Sequence, residues 1–310
     1  MTHIEGRESG PGWRKDPYDH RDYLHKPGVF KLPRLKKRDM AALLAEIRDQ
    51  GQLGSCVGFG IGMNFCSVWK ALGVFEEWCS PTYIYNGARF IEGTLDKDAG
   101  CNPSNALDWS LKNGILQEHF WPYNGTVLDK AAPSSERISQ AIKYSDFAYF
   151  RVDNGVEGIM SAIDDGHFVS LGAPWPGQWL AYPPGPDGIL SEPDPNAGYF
   201  NYGHETCLYD YDLSGRWLLG ANSWGKEWGK DGCYWMPFSA IDFFKANGGY
   251  DAHYVLFKTI VPPPAPEPTP TPEPTPSKCR WGNTVVKIMN MVCMQELRGR
   301  RGRFYYLNRR

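Results

Sequence analysis

A run of prolines near the C-terminus divides the chain into two parts that cannot share a secondary structure element. Nine of the 25 prolines lie between Pro262 and Pro276, in repeated Pro-Thr and Pro-Glu pairs. Proline lacks a backbone N–H and has a fixed φ, so this stretch can form neither helix nor sheet. We expect residues 261–277 to be an extended polyproline II linker, about 50 Å long at about 3.1 Å per residue.

The two parts of the chain differ in charge. The net charge of the 310 residues is −2, but residues 278–310 contain nine Lys and Arg and a single acid, Glu296. This segment therefore carries +8 and the rest of the chain −10. It is too short to bury a core. We interpret it as a basic docking tail for a protein assembly or an anionic surface, and we expect nucleic acid binding only there.

The part before the linker has the composition of a soluble globular protein. Apolar residues make up 42% of the chain and charged residues 22%, and no uninterrupted apolar run reaches the length of a membrane span. The first residues are polar and form no secretory signal, which favours a cytoplasmic or virion-associated protein. We divide this part into an N-terminal arm, residues 1–49, and a folded body, residues 50–260.

The pattern of apolar residues predicts helices in the first half of the body and strands in the second. A helix is predicted over Cys56–Leu72, stopped by Gly73, with shorter helices over 39–47 and 105–112. The predicted strands are 168–171, 206–209, 217–220 and 254–257. Helices followed by strands indicate an α+β architecture with two lobes, and lobes of this kind usually enclose a cleft.

Three polar residues form a set suited to nucleophilic catalysis. Cys56 opens the first long helix, and the N-terminus of a helix favours the thiolate, which is the reactive form of cysteine. His204 precedes one predicted strand, and Asn222 follows another. An asparagine oxygen can accept a hydrogen bond from one imidazole nitrogen and leave the other nitrogen to face sulfur. These residue types therefore indicate a nucleophile, a base and a group that orients the base.

The sequence around these residues resembles that of the papain-like (C1 family) cysteine peptidases, in the same order and with the same spacings. The matching motifs are Gln50-Gly51-x-x-Gly54-Ser55-Cys56, Gly203-His204 and Asn222-Ser223-Trp224-Gly225. The resemblance covers residues 12–260. It is nearest to the bacterial, archaeal and phage branch, whose members begin with a segment similar to Gly12-Trp13-x-x-Asp16.

The resemblance implies a fold and an activity. The fold would be the papain-like two-lobe α+β fold, with a helical lobe, an antiparallel β-barrel-like lobe and the active-site cleft between them. The activity would be that of a thiol endopeptidase that hydrolyses peptide bonds of a polypeptide substrate through an acyl-enzyme on Cys56. His204 would be the general acid and base, Asn222 its orienting partner and Gln50 an oxyanion donor. Neither a metal nor a cofactor is implied.

The resemblance also implies contacts with substrate. Trp224 would cover the hydrogen bond between His204 and Asn222, and the backbone of Gly100 would pair with an extended substrate. Three further residues beside the catalytic groups complete the expected substrate-binding set: Gly54, Ser55 and Gly203.

Two positions depart from the family pattern. Leu53 stands where the family has a disulfide cysteine, and Val57 replaces a bulky aromatic residue. Two alternative functions therefore stay open beside the peptidase. One is an acyl transferase or deamidase with the same triad. The other is a non-catalytic structural or binding protein of a larger assembly, for example a phage particle.

Overall fold

The computed structural model describes residues 12–20, 22–28, 40–74, 77–181, 183–196, 199–257, 280–281 and 284–285. The chain divides into two units, Met1–Pro263 and Pro264–Arg310. The predicted linker, residues 261–277, lies outside the described residues, as does nearly all of the predicted docking tail.

The first unit contains eight helices within its described residues. They are α1 (Met40–Leu43), α2 (Cys56–Leu72), α3 (Pro81–Glu92), α4 (Pro103–Asn113), α5 (Ser135–Ala141), α6 (Gly155–Asp164), α7 (Gly177–Ala181) and α8 (Ser239–Ala246). Two short 3-10 helices cover Glu118–Phe120 and Ile142–Tyr144. No helix among the described residues is long and apolar enough to cross a membrane.

The central helix is α2, and its predicted bounds are confirmed. It stops at Gly73, which adopts φ 66° and donates its backbone N–H to the last carbonyls of the helix. Every residue from Cys56 to Trp69 is buried. Two glycines of α2 allow this close packing, because a Cβ would lie 2.8 Å from the Pro81 carbonyl oxygen at Gly58 and 2.8 Å from Glu205 Cγ at Gly60.

The other two predicted helices exist with different bounds. The prediction over 39–47 was too long, since α1 ends at Leu43. The prediction over 105–112 was too short, because α4 begins at Pro103, where proline occupies the first helical turn without losing a hydrogen bond. The sequence analysis missed α3, although Ser80 caps it by accepting from the Tyr83 amide and Pro81 opens it.

Six strands form one antiparallel sheet. They are β1 (Phe147–Arg151), β2 (Val169–Pro176), β3 (Tyr199–Asp212), β4 (Trp217–Ala221), β5 (Cys233–Pro237) and β6 (Asp251–Phe257). Their order in the sheet is β1-β6-β2-β3-β4-β5. Three of the four predicted strands fall within these elements, the fourth, 168–171, begins one residue before β2, and β1 and β5 were missed. The edges β1 and β5 do not pair with each other among the described residues, so the sheet is open rather than a closed barrel.

The predicted α+β architecture is confirmed, and it places three chain segments together. Helix α2 packs against β3, so Cys56 at its N-terminus faces the strand that carries His204. Strand β4 pairs with β3 and ends at Ala221, which brings Asn222 to the same end of the sheet. In the second unit, β7 (Arg280–Trp281) and β8 (Thr284–Val285) form a short antiparallel pair.

Candidate active site

Cys56 lies at the N-terminus of α2 with only 1% of its surface exposed. Burial raises the pKa of its thiol, and the nearby acidic side chain of Glu205 raises that pKa further. Both effects disfavour the thiolate, against the influence of the helix N-terminus. Burial in the described conformation therefore opposes ionisation of the Cys56 thiol.

His204 and Asn222 form the pair expected from the sequence. His204 Nε2 lies 2.7 Å from Asn222 Oδ1, and both residues are buried. The same oxygen accepts from the Ser223 amide at 2.8 Å, so it acts as an acceptor toward the ring. The proton of this bond therefore belongs to His204 Nε2, which leaves Nδ1 as the basic nitrogen.

Two tryptophans enclose the imidazole. Trp224 stacks on the His204 ring with centroids 4.4 Å apart and an angle of 25°, the contact that the resemblance implied. Trp175, in β2, meets the same ring edge-on at 5.0 Å. These rings keep water away from the hydrogen bond between His204 and Asn222. The sequence analysis missed Trp175, because one aromatic residue in a buried strand looks like ordinary core.

Gln50 is brought close to Asn222 through the neighbouring Ser223. Its side-chain oxygen accepts from Ser223 Oγ at 2.6 Å, and its backbone N–H donates to the Ser223 carbonyl at 2.8 Å. Its side-chain nitrogen donates to the Leu53 carbonyl at 2.8 Å. The amide expected to stabilise an oxyanion thus lies in the loop before Cys56 and is bonded within that loop.

Gly54 and Ser55 are bound to other protein groups. The Gly54 amide donates to Asp98 at 2.9 Å, and Ser55 Oγ lies 2.6 Å from the hydroxyl of Tyr123. The Tyr123 hydroxyl in turn donates to the Gln50 carbonyl at 2.6 Å. These contacts fix the loop that leads into α2, and Tyr123 is a supporting residue that the sequence analysis did not select.

The N-terminal arm crosses the cleft directly beside these residues. The Gly12 carbonyl accepts from the Cys101 amide at 2.9 Å, and the Arg14 amide donates to the Cys101 carbonyl at 3.0 Å. On the other side, the Trp13 amide donates to the Gly203 carbonyl at 3.1 Å. Gly203, predicted to bind substrate, therefore binds the arm. Gly100 does not pair with the arm itself, but its neighbour Cys101 does.

Arm residue Gly12 covers the sulfur of Cys56. A Cβ placed on Gly12 would lie 2.2 Å from Cys56 Sγ, so no side chain fits there. The sequence analysis treated the arm as separate from the body and did not predict this contact. The only available signal was the Gly12-Trp13-x-x-Asp16 segment of the resemblance.

The arm is anchored in the cleft by polar contacts with the body. Trp13 Nε1 donates to Asp251 at 3.0 Å, and Lys15 forms an ion pair with the same carboxylate. Asp16 accepts from the amide and hydroxyl of Ser104 at 2.9 and 2.7 Å. Burial, with the adjacent Asp251 as a second cause, raises the pKa of Asp16 to about 7.

A further buried acid, Glu205, lies between α2 and the sheet. Burial raises the pKa of its carboxyl, and the charges of Asp16 and Asp251 raise it further. A hydrogen bond from Ser170 acts in the opposite direction and lowers that pKa. The described part of the chain contains no group of three or more His, Cys, Asp or Glu residues that could hold a metal ion.

Several known proteins resemble this chain in sequence. An uncharacterized peptidase C1-like protein of Acanthamoeba polyphaga mimivirus is 24% identical over 222 residues, which is 69% of this chain and 70% of that protein. Cysteine proteinase 1 of Entamoeba histolytica is 31% identical over 196 residues, covering 60% of this chain. The match spans only 58% of the length of that proteinase.

Solved structures share the fold. Xylellain, a cysteine protease from Xylella fastidiosa, superposes with a TM-score of 0.69 at 24% identity, over 82% of this chain and 97% of xylellain. The proform of the ragweed cysteine protease Amb a 11 gives a TM-score of 0.58 at 16% identity, over 75% of this chain and 69% of that one.

The family model described as "Papain family cysteine protease" matches residues 33–241, more than half of the chain. The matched residues contain the helix that begins with Cys56, the strand that carries His204 and the turn that carries Asn222. The chain therefore belongs to the papain family of cysteine proteases.

Proposed function

We propose that this protein is a thiol endopeptidase in which Cys56, His204 and Asn222 form the catalytic triad. The observation that carries the proposal is the 2.7 Å bond between His204 Nε2 and Asn222 Oδ1, enclosed by Trp224. This bond fixes the imidazole as a base at Nδ1. The catalytic thiol lies at the N-terminus of α2, which packs on the strand that carries this imidazole.

The proposed reaction begins when His204 Nδ1 takes the proton of the Cys56 thiol. The thiolate attacks the peptide carbonyl, and the oxyanion is stabilised by the Cys56 amide and by the side-chain amide of Gln50, which must exchange its bond to Leu53. The imidazolium then protonates the leaving amine. In the second half, His204 deprotonates water, which attacks the acyl-enzyme and releases the Cys56 thiol.

The described conformation is the inactive one in this proposal. Gly12 lies over the Cys56 sulfur, yet its carbonyl is bonded to the Cys101 amide rather than to the oxyanion donors. The arm therefore blocks the nucleophile without presenting a peptide bond for attack. A substrate reaches Cys56 only after residues 12–16 leave the cleft.

We also infer the finer assignments from sequence features. The Gly12-Trp13-x-x-Asp16 segment and the likeness to xylellain of Xylella fastidiosa support the bacterial, archaeal and phage branch. The charge of +8 on residues 278–310 supports the docking tail, whose partner would be a protein assembly or an anionic surface. A cytoplasmic or virion-associated location and nucleic acid binding restricted to the tail stay predictions.

An epoxide inhibitor of thiol proteases tests the triad. It should modify Cys56 stoichiometrically in the full chain carrying Trp13→Ala, which loosens the arm, as read by intact mass and peptide mapping. Cys56→Ser and His204→Ala should both abolish that modification. Mapping is needed because the chain has eight cysteines, and among the described residues Cys233 is a partly exposed thiol. An unreactive Cys56 in the Trp13→Ala chain would contradict the proposal and favour the non-catalytic alternative.

Product analysis separates hydrolysis from acyl transfer. With a peptide substrate and an added amine, the proposed endopeptidase should release mainly the free acid. Predominant formation of the amide would instead show an acyl transferase that uses the same triad.

A further inference from the structure

We propose that Asp251 is a specificity-determining residue of this cleft, and that its carboxylate selects a tryptophan of the substrate in the pocket filled by Trp13. This inference rests on the proposed function and names the substrate class of the same site. Trp13 and Asp251 both lie outside residues 33–241, the part matched by the family model.

The pocket adjoins the catalytic groups. Trp13 follows the residue that covers Cys56, and its amide bonds to Gly203, the residue before His204. Its backbone bridges Cys101 on one side of the cleft and β3 on the other. A side chain in this pocket therefore belongs to a peptide that is held by backbone pairing and passes over the nucleophile.

The shape of the pocket fits a large flat ring. A Cβ on Gly172 would lie 2.1 Å from Trp13 Cδ1, and a Cβ on Gly203 would lie 1.7 Å from Trp13 Cε3. Neither glycine has a positive φ, so neither is required by its backbone conformation. Glycine inside a strand is also unfavourable. Because Gly172 and Gly203 have no side chains, they leave the space that the indole of Trp13 occupies.

Three neighbouring strands build the pocket on one face of the sheet. Gly172 of β2 pairs directly with Asp251 of β6, so the two residues face the same side. Gly203 of β3 pairs with Pro174, two positions along β2 from Gly172, and therefore faces that side as well. The ring lies between Gly172 and Gly203, and its N–H reaches Asp251.

Asp251 supplies the chemical preference. Its side chain has no exposed surface, and its Oδ2 accepts from Trp13 Nε1 at 3.0 Å and from the Asp16 amide at 2.8 Å. Its Oδ1 faces Lys15 and, at 3.4 Å, Arg151. When the arm leaves, Arg151 of the body remains beside Oδ1, while Oδ2 loses both donors. An occupant that covers Oδ2 again must therefore bring an N–H to it, since an unpaired buried carboxylate oxygen is costly.

This chemistry ranks the possible side chains. Tryptophan fills the space and donates to Asp251. Phenylalanine fills much of the space but leaves Oδ2 unpaired, which should lower kcat/KM by roughly tenfold or more. Arginine or lysine could also donate to Asp251, as Lys15 of the arm does, but neither side chain fills the flat space beside Gly172 and Gly203.

A peptide library with varied residues on the acyl side tests the ranking in the full chain carrying Trp13→Ala, whose pocket is empty. The expected result is a roughly tenfold or greater preference for Trp over Phe at one position. Adding Asp251→Ala should reduce this ratio below about twofold, and Asp251→Asn, which keeps an acceptor, should preserve part of it. The matched control is Asp153→Ala, because Asp153 also pairs with Arg151 at 3.4 Å but lies outside the pocket. It should leave the ratio unchanged.

The glycine wall gives a second, independent test. Gly172→Ala should lower cleavage of Trp peptides relative to Ala peptides by roughly tenfold or more, because the added methyl group occupies the ring position. The matched control is Gly185→Ala, where the nearest atom to the new Cβ is Asp187 Oδ1 at an ordinary 3.5 Å. It should leave the relative rates unchanged.

A readout without turnover separates this inference from the proposed function. A Gly-Trp-Arg-Lys-Asp peptide should protect Cys56 of the Trp13→Ala chain from alkylation at a roughly tenfold lower concentration than its Phe counterpart. Equal protection by the two peptides, equal cleavage of Trp and Phe substrates, or a preference for Arg or Lys would overturn the pocket assignment. Cleavage of substrates with a different side-chain preference would overturn only this inference. Protection of Cys56 by the Trp peptide without any cleavage would overturn only the proposed peptidase function.

Discussion

Two neighbouring segments of the arm attach to the body in different ways. Residues 12–16 lie inside the cleft, where Trp13 and Asp16 are buried and bonded to side chains of the body. Residues 22–28 lie along the outer strand β1. There the Tyr23 carbonyl accepts from Arg151, and the His25 amide donates to the Arg151 carbonyl, both at 2.8 Å.

The difference shows which attachment controls the site. The cleft segment covers Cys56 and fills a pocket, so it excludes substrate. The edge segment pairs with an edge strand and bonds to Ser161 and Tyr254 through His25, but it stays away from Cys56 and leaves Tyr23 69% exposed. Both segments are polar in sequence, so burial in the cleft follows from the complementary groups of the body rather than from the composition of the arm. The predictions below test this contrast.

The largest effect is expected from Trp13→Ala. The substitution removes a buried indole and the donor to Asp251, a loss of about 3 kcal/mol in docking free energy, or roughly 100-fold. The rate of Cys56 alkylation in the full chain should therefore rise by roughly 100-fold. The matched control is Tyr18→Ala, because Tyr18 is an arm aromatic that is 85% exposed. An unchanged rate in Trp13→Ala would show that the cleft segment does not control access.

A smaller increase is expected from Gly12→Ala. The new methyl group would overlap the Cys56 sulfur, since the distance available is 2.2 Å. Overpacking of this kind costs about 1–3 kcal/mol, so the alkylation rate should rise by roughly 10- to 100-fold. If the rate does not change, Gly12 is not closely packed on the thiol in solution.

Docking of the cleft segment should weaken as pH rises. The pKa of Asp16 is raised to about 7 in the docked arm from an ordinary value of 3.8, so docking binds a proton that the free arm has released. This contribution is complete below about pH 4 and is lost as pH rises to about 7. Asp251, Lys15 and Glu205 are the charged groups nearby. His253, 3.7 Å away, stays neutral because burial lowers its pKa to about 3.

Hydrogen exchange of the Arg14 amide, corrected for its intrinsic pH dependence, measures this effect. Protection should fall by roughly 10- to 100-fold between pH 5 and pH 8 and become independent of pH in Asp16→Asn. The His25 amide in the edge segment serves as the internal reference. Greater protection at pH 8 than at pH 5 would contradict the prediction that docking of the arm takes up a proton on Asp16.

The smallest effect is expected from Tyr23→Ala in the edge segment. Tyr23 is largely exposed and contacts Phe150 with ring centroids 5.9 Å apart. The free energy of unfolding should change by about 0.5 kcal/mol or less, and the alkylation rate of Cys56 should stay within about twofold. A large rise in that rate would mean that the edge attachment also holds the cleft closed.

The sequence predicted the elements whose signals are local. Helix α2 was placed at both ends because its apolar period, its opening Cys56 and its closing Gly73 all lie within it. Strands β2, β3, β4 and β6 were located by short apolar runs. Strands β1 and β5 were missed; they are the two edge strands, and each is defined by pairing with a single neighbour, β6 or β4.

The catalytic candidates could be selected because each residue type is tied to a motif. The covering arm and the Trp13 pocket could not, since they depend on contacts between residues far apart in the chain, from 44 positions for Gly12 and Cys56 to 238 for Trp13 and Asp251. Gly172, Gly203 and Asp251 become one surface only through the order of β6, β2 and β3 in the sheet. No local pattern contains that order.

Because the bridge between Leu24 and Arg151 keeps the arm attached, the fraction of closed molecules does not depend on the protein concentration. A segment that stays attached a few residues away competes with substrate at a fixed local concentration, which for short flexible connections is in the millimolar range. Dilution of the protein therefore leaves the closed fraction unchanged. A single cut between residues 17 and 22 would turn the cleft segment into a free peptide that is lost on dilution, so one proteolytic event would make opening permanent.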